Sequence, residues 1–233
     1  MHLFYAPDIA TNPVLPEEES AHAVKVLRLS AGDSVIVLDG KGGVFEATVA
    51  VAHPKHCVLN SLQAVAASSQ RPYHLHIAIA PTKNMDRLEW FAEKAVEIGI
   101  DEITPVFCRF SERKVLKKER LEKILVSAMK QSMQPVLTRL NDPCSFKELM
   151  AHADARQKFI AHCHAGERKL LSRSLQKGGS VLILIGPEGD FSEEEVALAL
   201  QKGYQPVSLG ETRLRVETAA LAACHTVAVI HEL

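Results

Sequence analysis

No apolar run in this chain reaches the roughly 20 residues that a membrane-spanning helix needs. The first ten residues, MHLFYAPDIA, carry neither a basic segment nor a long apolar stretch, so no secretory signal is expected there. The five cysteines (Cys57, Cys108, Cys144, Cys163 and Cys224) are scattered, with no CxxC pair. An odd, dispersed set argues against a disulfide framework and a zinc knuckle, and points to a reduced, cytoplasmic protein; no metal site is expected. There is no excess of charge either. At a net charge of −1, composition alone does not announce a nucleic-acid binder. Finally, neither GxGxxG nor GxxxxGK[ST] occurs, which disfavours a dinucleotide site and a P-loop.

What remains is an ordinary globular composition, 47% hydrophobic and 24% charged. At 233 residues, the chain fits one large domain or two small ones. Its single charge asymmetry is the segment Arg109–Lys123, with seven Lys or Arg against three Glu. Such a cluster suits a phosphate backbone, and equally a solvated helix face laced with Glu–Lys pairs.

Residues 1 to about 70 read as strands and turns. Asp33–Leu38 and Val44–Val49 flank the hairpin signal Asp39-Gly-Lys-Gly-Gly43, and Cys57–Leu62 is a further strand. One short helix is expected from Pro16 to near Leu27. Short strands with glycine-rich turns suggest a small barrel. Ala66–Pro72, small, polar and proline-ended, reads as a linker.

From His74 the pattern changes to strands alternating with helices. Strands are expected at His74–Ala80, Glu102–Phe107, Lys158–His162, Ser180–Ile185 and Pro206–Gly210. Between them fall a helix capped by Asn84 or Thr82 and stopped by Gly99, and a basic helix from Lys117 to about Ser132. A helix with capping-box spacing opens at Ser192 and closes at Gly203, and a last Ala-rich helix spans Glu217–Ile230. Alternation of this kind implies a covered parallel sheet, so the fold class is α/β, a small β domain followed by an α/β domain.

In such sheets ligands bind beyond the carboxyl ends of the strands. Three loops leave those ends: Pro81–Asn84, Gly186–Gly189 and Gly210–Thr218. The second resembles a phosphate cradle, yet Glu188, Asp190, Glu193, Glu194 and Glu195 stand beside it. These acids favour a helix dipole but oppose phosphate, so a neutral or cationic ligand suits the loop better.

IGPEGDFSEEEV, followed by SLGETRLRVETAALAA, resembles the paired signature of SPOUT-class methyltransferases. More closely, it is similar to the RsmE family, which methylates N3 of a uridine in 16S ribosomal RNA with S-adenosylmethionine. The resemblance extends to KNMDRLEWFAEKAVEIGIDEITP, to SERK…AMKQSMQP and to HAVKVLRLSAGDSVIVLDGKGG. It implies a PUA-like RNA-binding barrel over residues 1–70 and a SPOUT domain with a deep trefoil knot over 72–233. It also implies a homodimer acting on RNA of the small ribosomal subunit. S-adenosylmethionine carries a sulfonium and no phosphate, which answers the puzzle of the acidic loop.

By the same resemblance, the cofactor is held by Thr82, by Ile185, Gly186, Pro187, Glu188 and Gly189, and by Leu209, Gly210, Leu214, Arg215 and Thr218. Arg215 and Glu217 are the candidate catalytic pair. Arg215 would stabilise the developing imidate of uracil, and Glu217, or a water it holds, would take the N3 proton. Lys25, Arg28, Lys83, Arg109, Arg113 and Lys114 are candidate RNA contacts. Plainer readings stand beside these roles: turn glycines at 186 and 189, a dipole-complementing Glu188, a surface pair of Arg215 with Glu217, and a helix cap at Thr218. His162-Cys163-His164 reads as the residues of a strand end. The chain departs from the family at Asp190, where glycine is common, at Arg213-Leu214-Arg215, where Ile-Leu-Arg is usual, and at Lys130, where an acid is common and a lysine would favour RNA. A ribose 2′-O-methyltransferase and an inactive RNA-binding module, the latter favoured by Asp190, stay open beside the main reading.

Overall fold

The computed structural model describes residues 2–65 and 71–232, so the linker expected over 66–72 lies largely outside the described residues. The described residues form two compact units. One runs from the amino terminus through the first four strands and also takes in Met129–Leu137; the other holds Arg71–Ala128 and the chain from Thr138 onward.

In the first unit, β1 (His2–Tyr5) pairs in parallel with β2 (Ser34–Leu38), which runs antiparallel to β3 (Val44–Val51), itself antiparallel to β4 (Val58–Val65). The β2–β3 turn is set by Asp39, whose Oδ1 accepts the Lys41 and Gly43 N–H groups at 2.7 and 2.8 Å. Val14 bridges to Val58 on the free edge of β4. The chain after β1 therefore crosses from one edge of the sheet to the other before α1. Phe4, Ile9, Leu15, Val35, Val37 and Leu59 form the core of the unit.

The helix expected from Pro16 divides into α1 (Glu17–Ala21) and a π-helical turn over His22–Val26. Buried Ser20 fixes it, donating to the Leu15 carbonyl at 2.8 Å and accepting the Cys57 N–H at 2.9 Å. Lys130 corrects one expectation. Its ammonium lies 2.6 Å from Glu19 Oε1, with both side chains mostly buried, so this charge is spent inside the unit and not on RNA.

In the second unit the order is β5 (Tyr73–Ile79), α2 (Met85–Ile98), β6 (Glu102–Phe107), α3 (Lys118–Ser132, whose last turn falls in the first unit), β7 (Arg139–Leu140) and β8 (Cys144–Ser145). Then come α4 (Phe146–His152), β9 (Gln157–Ala161), β10 (Lys169–Leu170), α5 (Leu171–Ser174), β11 (Gly179–Ile185), α6 (Glu193–Gln201), β12 (Gln205–Ser208) and α7 (Val216–Glu232). The strands pair in parallel in the order β10-β12-β9-β11-β5-β6-β7, with β8 also on β6. β11 and β5 are central, and Val181–Leu184 with Ile77–Ile79 are wholly buried, as apolar runs in a doubly covered sheet should be. One face carries α7 packed on α2, β5 and β11. On the other, Phe146 and Leu149 of α4 and Val196 of α6 pack against Ala78, Leu182 and Leu184.

Local signals set the helix ends. Asn84, and not Thr82, caps α2 by accepting the Asp86 N–H, and Gly99 stops the helix at φ +110°. Ser192 and Glu195 form the expected reciprocal capping box of α6. No described helix is long and apolar enough to cross a membrane.

Candidate functional site

Because β12, β9, β11 and β5 are adjacent and parallel, the loops that follow them gather at one end of the sheet. There they enclose a cleft of about 570 Å³. That volume lies within the range of small-molecule sites. Its walls are Ala161–Cys163 and Arg168 after β9, Ile185–Glu188 and Asp190 after β11, and Val207–Glu217 with Ala219 after β12. Arg87 of α2 completes it.

The acids beside the Gly-Pro-Glu-Gly loop do not form a wall of free charge. Glu188 Oε1 accepts the Lys83 N–H at 2.9 Å, and the Glu188 carbonyl faces the Arg213 guanidinium at 3.4 Å. Glu188 thus ties the loop after β11 to the loop after β5. Glu195 accepts the Arg109 N–H at 2.9 Å, and Glu194 lies 3.5 Å from the Arg109 guanidinium. Glu193, Glu194 and Glu195 stay outside the cleft.

Asp190 has φ +68°, the left-handed conformation that glycine would supply. Its carboxylate offsets the strain: Oδ1 accepts the Phe191 N–H at 2.8 Å and Oδ2 the Cys163 N–H at 2.7 Å. The departure from glycine therefore keeps the turn and adds a tie to the loop after β9. His162, read from sequence as the end of a strand, lies beyond it and lines the cleft with Cys163. Burial pulls the His162 imidazole below its ordinary range.

The glycines divide in role. A Cβ on Gly186 would fall 3.0 Å from the Phe191 ring, and one on Gly189 3.0 Å from Phe110 Cβ. Internal packing already favours glycine at both. Gly210 differs: its φ is +148° and a Cβ there would meet nothing within 4 Å among the described residues. Lining the cleft, Gly210 leaves that space open.

Of the residues expected to hold a cofactor, Ile185–Glu188, Leu209, Gly210, Leu214 and Arg215 line the cleft. Thr82, Gly189 and Thr218 do not. Thr82 is fully buried, its hydroxyl donating to the Asn84 carbonyl at 2.6 Å. Thr218 sits inside the first turn of α7 and so is not its cap; Arg215 holds the cap position, its carbonyl accepting the Ala219 N–H at 2.7 Å. Arg215 and Glu217 both line the cleft, Arg215 exposed and Glu217 only 8% exposed.

Among the residues expected to touch RNA, Lys25 and Arg28 are exposed on the first unit, Arg28 with φ +56°. Lys114 is exposed on the second. Lys83 pairs with Glu112 at 2.8 Å. Arg113 is turned inward, donating to the carbonyls of Thr82 and Lys83 at 3.2 and 2.8 Å. Sequence reading missed Arg87, Arg168 and Asp190 as cleft residues. Only for Asp190 did a local signal exist, the break in the glycine pattern. No group of three or more metal-binding side chains occurs among the described residues.

The match to known proteins is extensive. A family profile described as an RNA methyltransferase domain covers residues 69–228, and one described as an RNA methyltransferase PUA domain covers 15–60. The ribosomal RNA small subunit methyltransferase E of Bacillus subtilis is 29% identical over 231 residues, covering 93% of this chain and 89% of the relative. That of Synechocystis is 29% identical over 232 residues, covering 95% and 75%. A crystal structure from Porphyromonas gingivalis, described as a probable rRNA-methyltransferase, is 43% identical, with a TM-score of 0.88 and coverage of 98% of this chain and 99% of that one. A Legionella pneumophila chain described as a methyltransferase, solved with the cofactor S-adenosylmethionine bound, is 26% identical with a TM-score of 0.88, covering 97% and 96%. The chain therefore belongs to the RNA methyltransferase family, in the branch that joins this domain to a PUA domain and includes the small-subunit methyltransferases E.

Proposed function

We propose that this chain transfers a methyl group from S-adenosylmethionine to N3 of a uridine in small-subunit (16S) ribosomal RNA. The observation that carries the reading is the cleft at the carboxyl ends of β9, β11 and β12, in a chain of the RNA methyltransferase family. The residues present fit the cofactor. Gly210 keeps space open, Glu188 and Asp190 turn their carboxylates to backbone donors, and their remaining negative charge suits a sulfonium. Ile185–Glu188, Leu209, Gly210 and Leu214 would hold it.

Bound S-adenosylmethionine supplies an electrophilic methyl carbon. Uracil N3 is a poor nucleophile until its proton leaves, so the chain must remove that proton and hold the anion in line. Positioning of this kind contributes much of a transfer enzyme's acceleration. Glu217, buried at the cleft wall, is the proton acceptor. Arg215, exposed at the same wall, stabilises the imidate.

We assign residues 1–70 to RNA holding, with Lys25 and Arg28 on phosphate, and residues 72–233 to cofactor binding and chemistry. Lys114 adds a phosphate contact from the second unit. Recognition of assembled small-subunit RNA, a homodimeric state and a cytoplasmic location complete the reading. β12 lies beyond β9 while α7 packs on β5 and β11, so the chain between them returns across the carboxyl ends of β9 and β11. That return supports a trefoil knot.

The test is methyl transfer from labelled S-adenosylmethionine to small ribosomal subunits from cells lacking this protein, with nucleoside analysis. N3-methyluridine is expected. A 2′-O-methyl nucleoside would overturn the target atom, and cofactor binding without any product would overturn the enzymatic reading.

A further inference from the structure

Glu217 is buried, and a buried carboxylate needs a partner. Its ion-pair partner in the cleft is Arg87, with Nη1 3.8 Å from Glu217 Oε1. The side chains are 38% and 11% exposed respectively. Arg87 lies in the first turn of α2, just after the Asn84 cap, where a cation opposes the helix dipole. Local helix energetics thus disfavour an arginine there, and the cleft supplies the reason for it. The separation is too long for a hydrogen bond, so the pair is electrostatic and loose. It balances the charge of Glu217 without occupying the oxygen's lone pairs.

We propose that Arg87 is the positioning residue of the proton acceptor, a role that rests on the reading of Glu217 given above. Before the reaction, the guanidinium holds the Glu217 carboxylate at the cleft wall. When the N3–H bond of uracil breaks, its proton forms an O–H bond on Glu217 and the electron pair stays on the base. Glu217 becomes neutral and the base becomes anionic, so the positive Arg87 exchanges one negative partner for another. The charge in the cleft is unchanged by the step. A tight, bidentate Arg–carboxylate pair would resist that exchange; the loose one allows it.

A double-mutant cycle on single-turnover methylation of unmodified small ribosomal subunits tests this, with S-adenosylmethionine affinity measured on each variant as the control for an intact cleft. Glu217→Gln is expected to slow the step about 100-fold or more. Arg87→Met is expected to slow it about tenfold with cofactor affinity within about twofold of the parent, and Arg87→Lys to recover part of the loss. In the Glu217→Gln background, Arg87→Met should have no further effect. If Glu217→Gln alone retains the parental rate, the reading of Glu217 as acceptor fails. If Glu217→Gln is slow but Arg87→Met still costs its full factor on top, or costs nothing in the parent, the role of Arg87 fails while that reading stands. Loss of cofactor affinity in both Arg87→Met and Arg87→Lys would make Arg87 a cofactor-site residue and overturn the proposal.

Discussion

At the amino ends of β5 and β6, partly buried polar side chains bond to one another. Asn141 Nδ2 donates to Glu102 Oε1 and to Thr104 Oγ1, and the Thr104 hydroxyl is 2.7 Å from His76 Nε2. Nearby, Asp101 pairs with Arg71 and accepts the Leu75 N–H at 2.7 Å. At the carboxyl ends of β9, β11 and β12, the carboxylates of Glu188 and Asp190 are bonded to backbone N–H groups, but the other charged groups are not tied together. Arg87 and Glu217 approach only to 3.8 Å, and Arg213 and Arg215 are exposed at the cleft. A bonded network stabilises, even with the buried Arg71 Nη1 left without a hydrogen-bond partner among the described residues; unpaired charge at the cleft leaves bonding capacity for a ligand. One sheet thus has an end built for the fold and an end built for chemistry.

Substitutions at the two ends should separate activity from stability. The largest effect is expected at Gly210→Val, which places a side chain in the open space of the cleft at a strained φ. S-adenosylmethionine affinity should fall about 100-fold, or about 2.7 kcal/mol, by calorimetric titration. Next comes Asp101→Ala, which leaves Arg71 and the Leu75 N–H without their partner. A loss of about 2–3 kcal/mol in denaturant unfolding is expected, with cofactor affinity unchanged. A cofactor defect here as large as that of Gly210→Val would break the division.

Much of this was legible in sequence, but unevenly. The capping box of Ser192 and Glu195, the Asn84 cap, the Gly99 stop and the apolar run of β11 are local signals, and each marks its element. The strand order is not local: nothing in Gln205–Ser208 or Lys169–Leu170 says that they pair with each other, because parallel pairing is decided by burial across distant segments. The two-residue strands β7, β8 and β10 are too short for any periodicity, and α4 and α5 went unread for a related reason. The same asymmetry holds in the site. The loops after β11 and β12 carry motifs, whereas Arg87 reaches Glu217 only because α2 packs beside α7.

The amino end also predicts a pH dependence. Burial pulls the His76 imidazole down to about 4 from an ordinary 6.5, partly opposed by Glu102. The unfolded chain therefore takes up this proton first. Stability from neutral His76 is full above about pH 6.5 and is lost as pH falls towards 4, by at most roughly 3 kcal/mol. His76→Asn should flatten that part of the stability–pH curve and leave methyl transfer at neutral pH unchanged. The smallest effect is expected at Tyr204→Phe. The Tyr204 hydroxyl is buried without a hydrogen-bond partner among the described residues, so its removal should change stability by less than about 1 kcal/mol, with stabilisation the expected sign.

The most direct test of the contrast is amide hydrogen exchange with and without saturating S-adenosylmethionine. The account predicts slowed exchange in 186–190 and 208–217, with the Lys83 N–H that Glu188 accepts protected alongside them, and no change around Asp101, Thr104 and Asn141. Unchanged exchange in the cleft loops, or protection concentrated at the amino ends of β5 and β6, would contradict it.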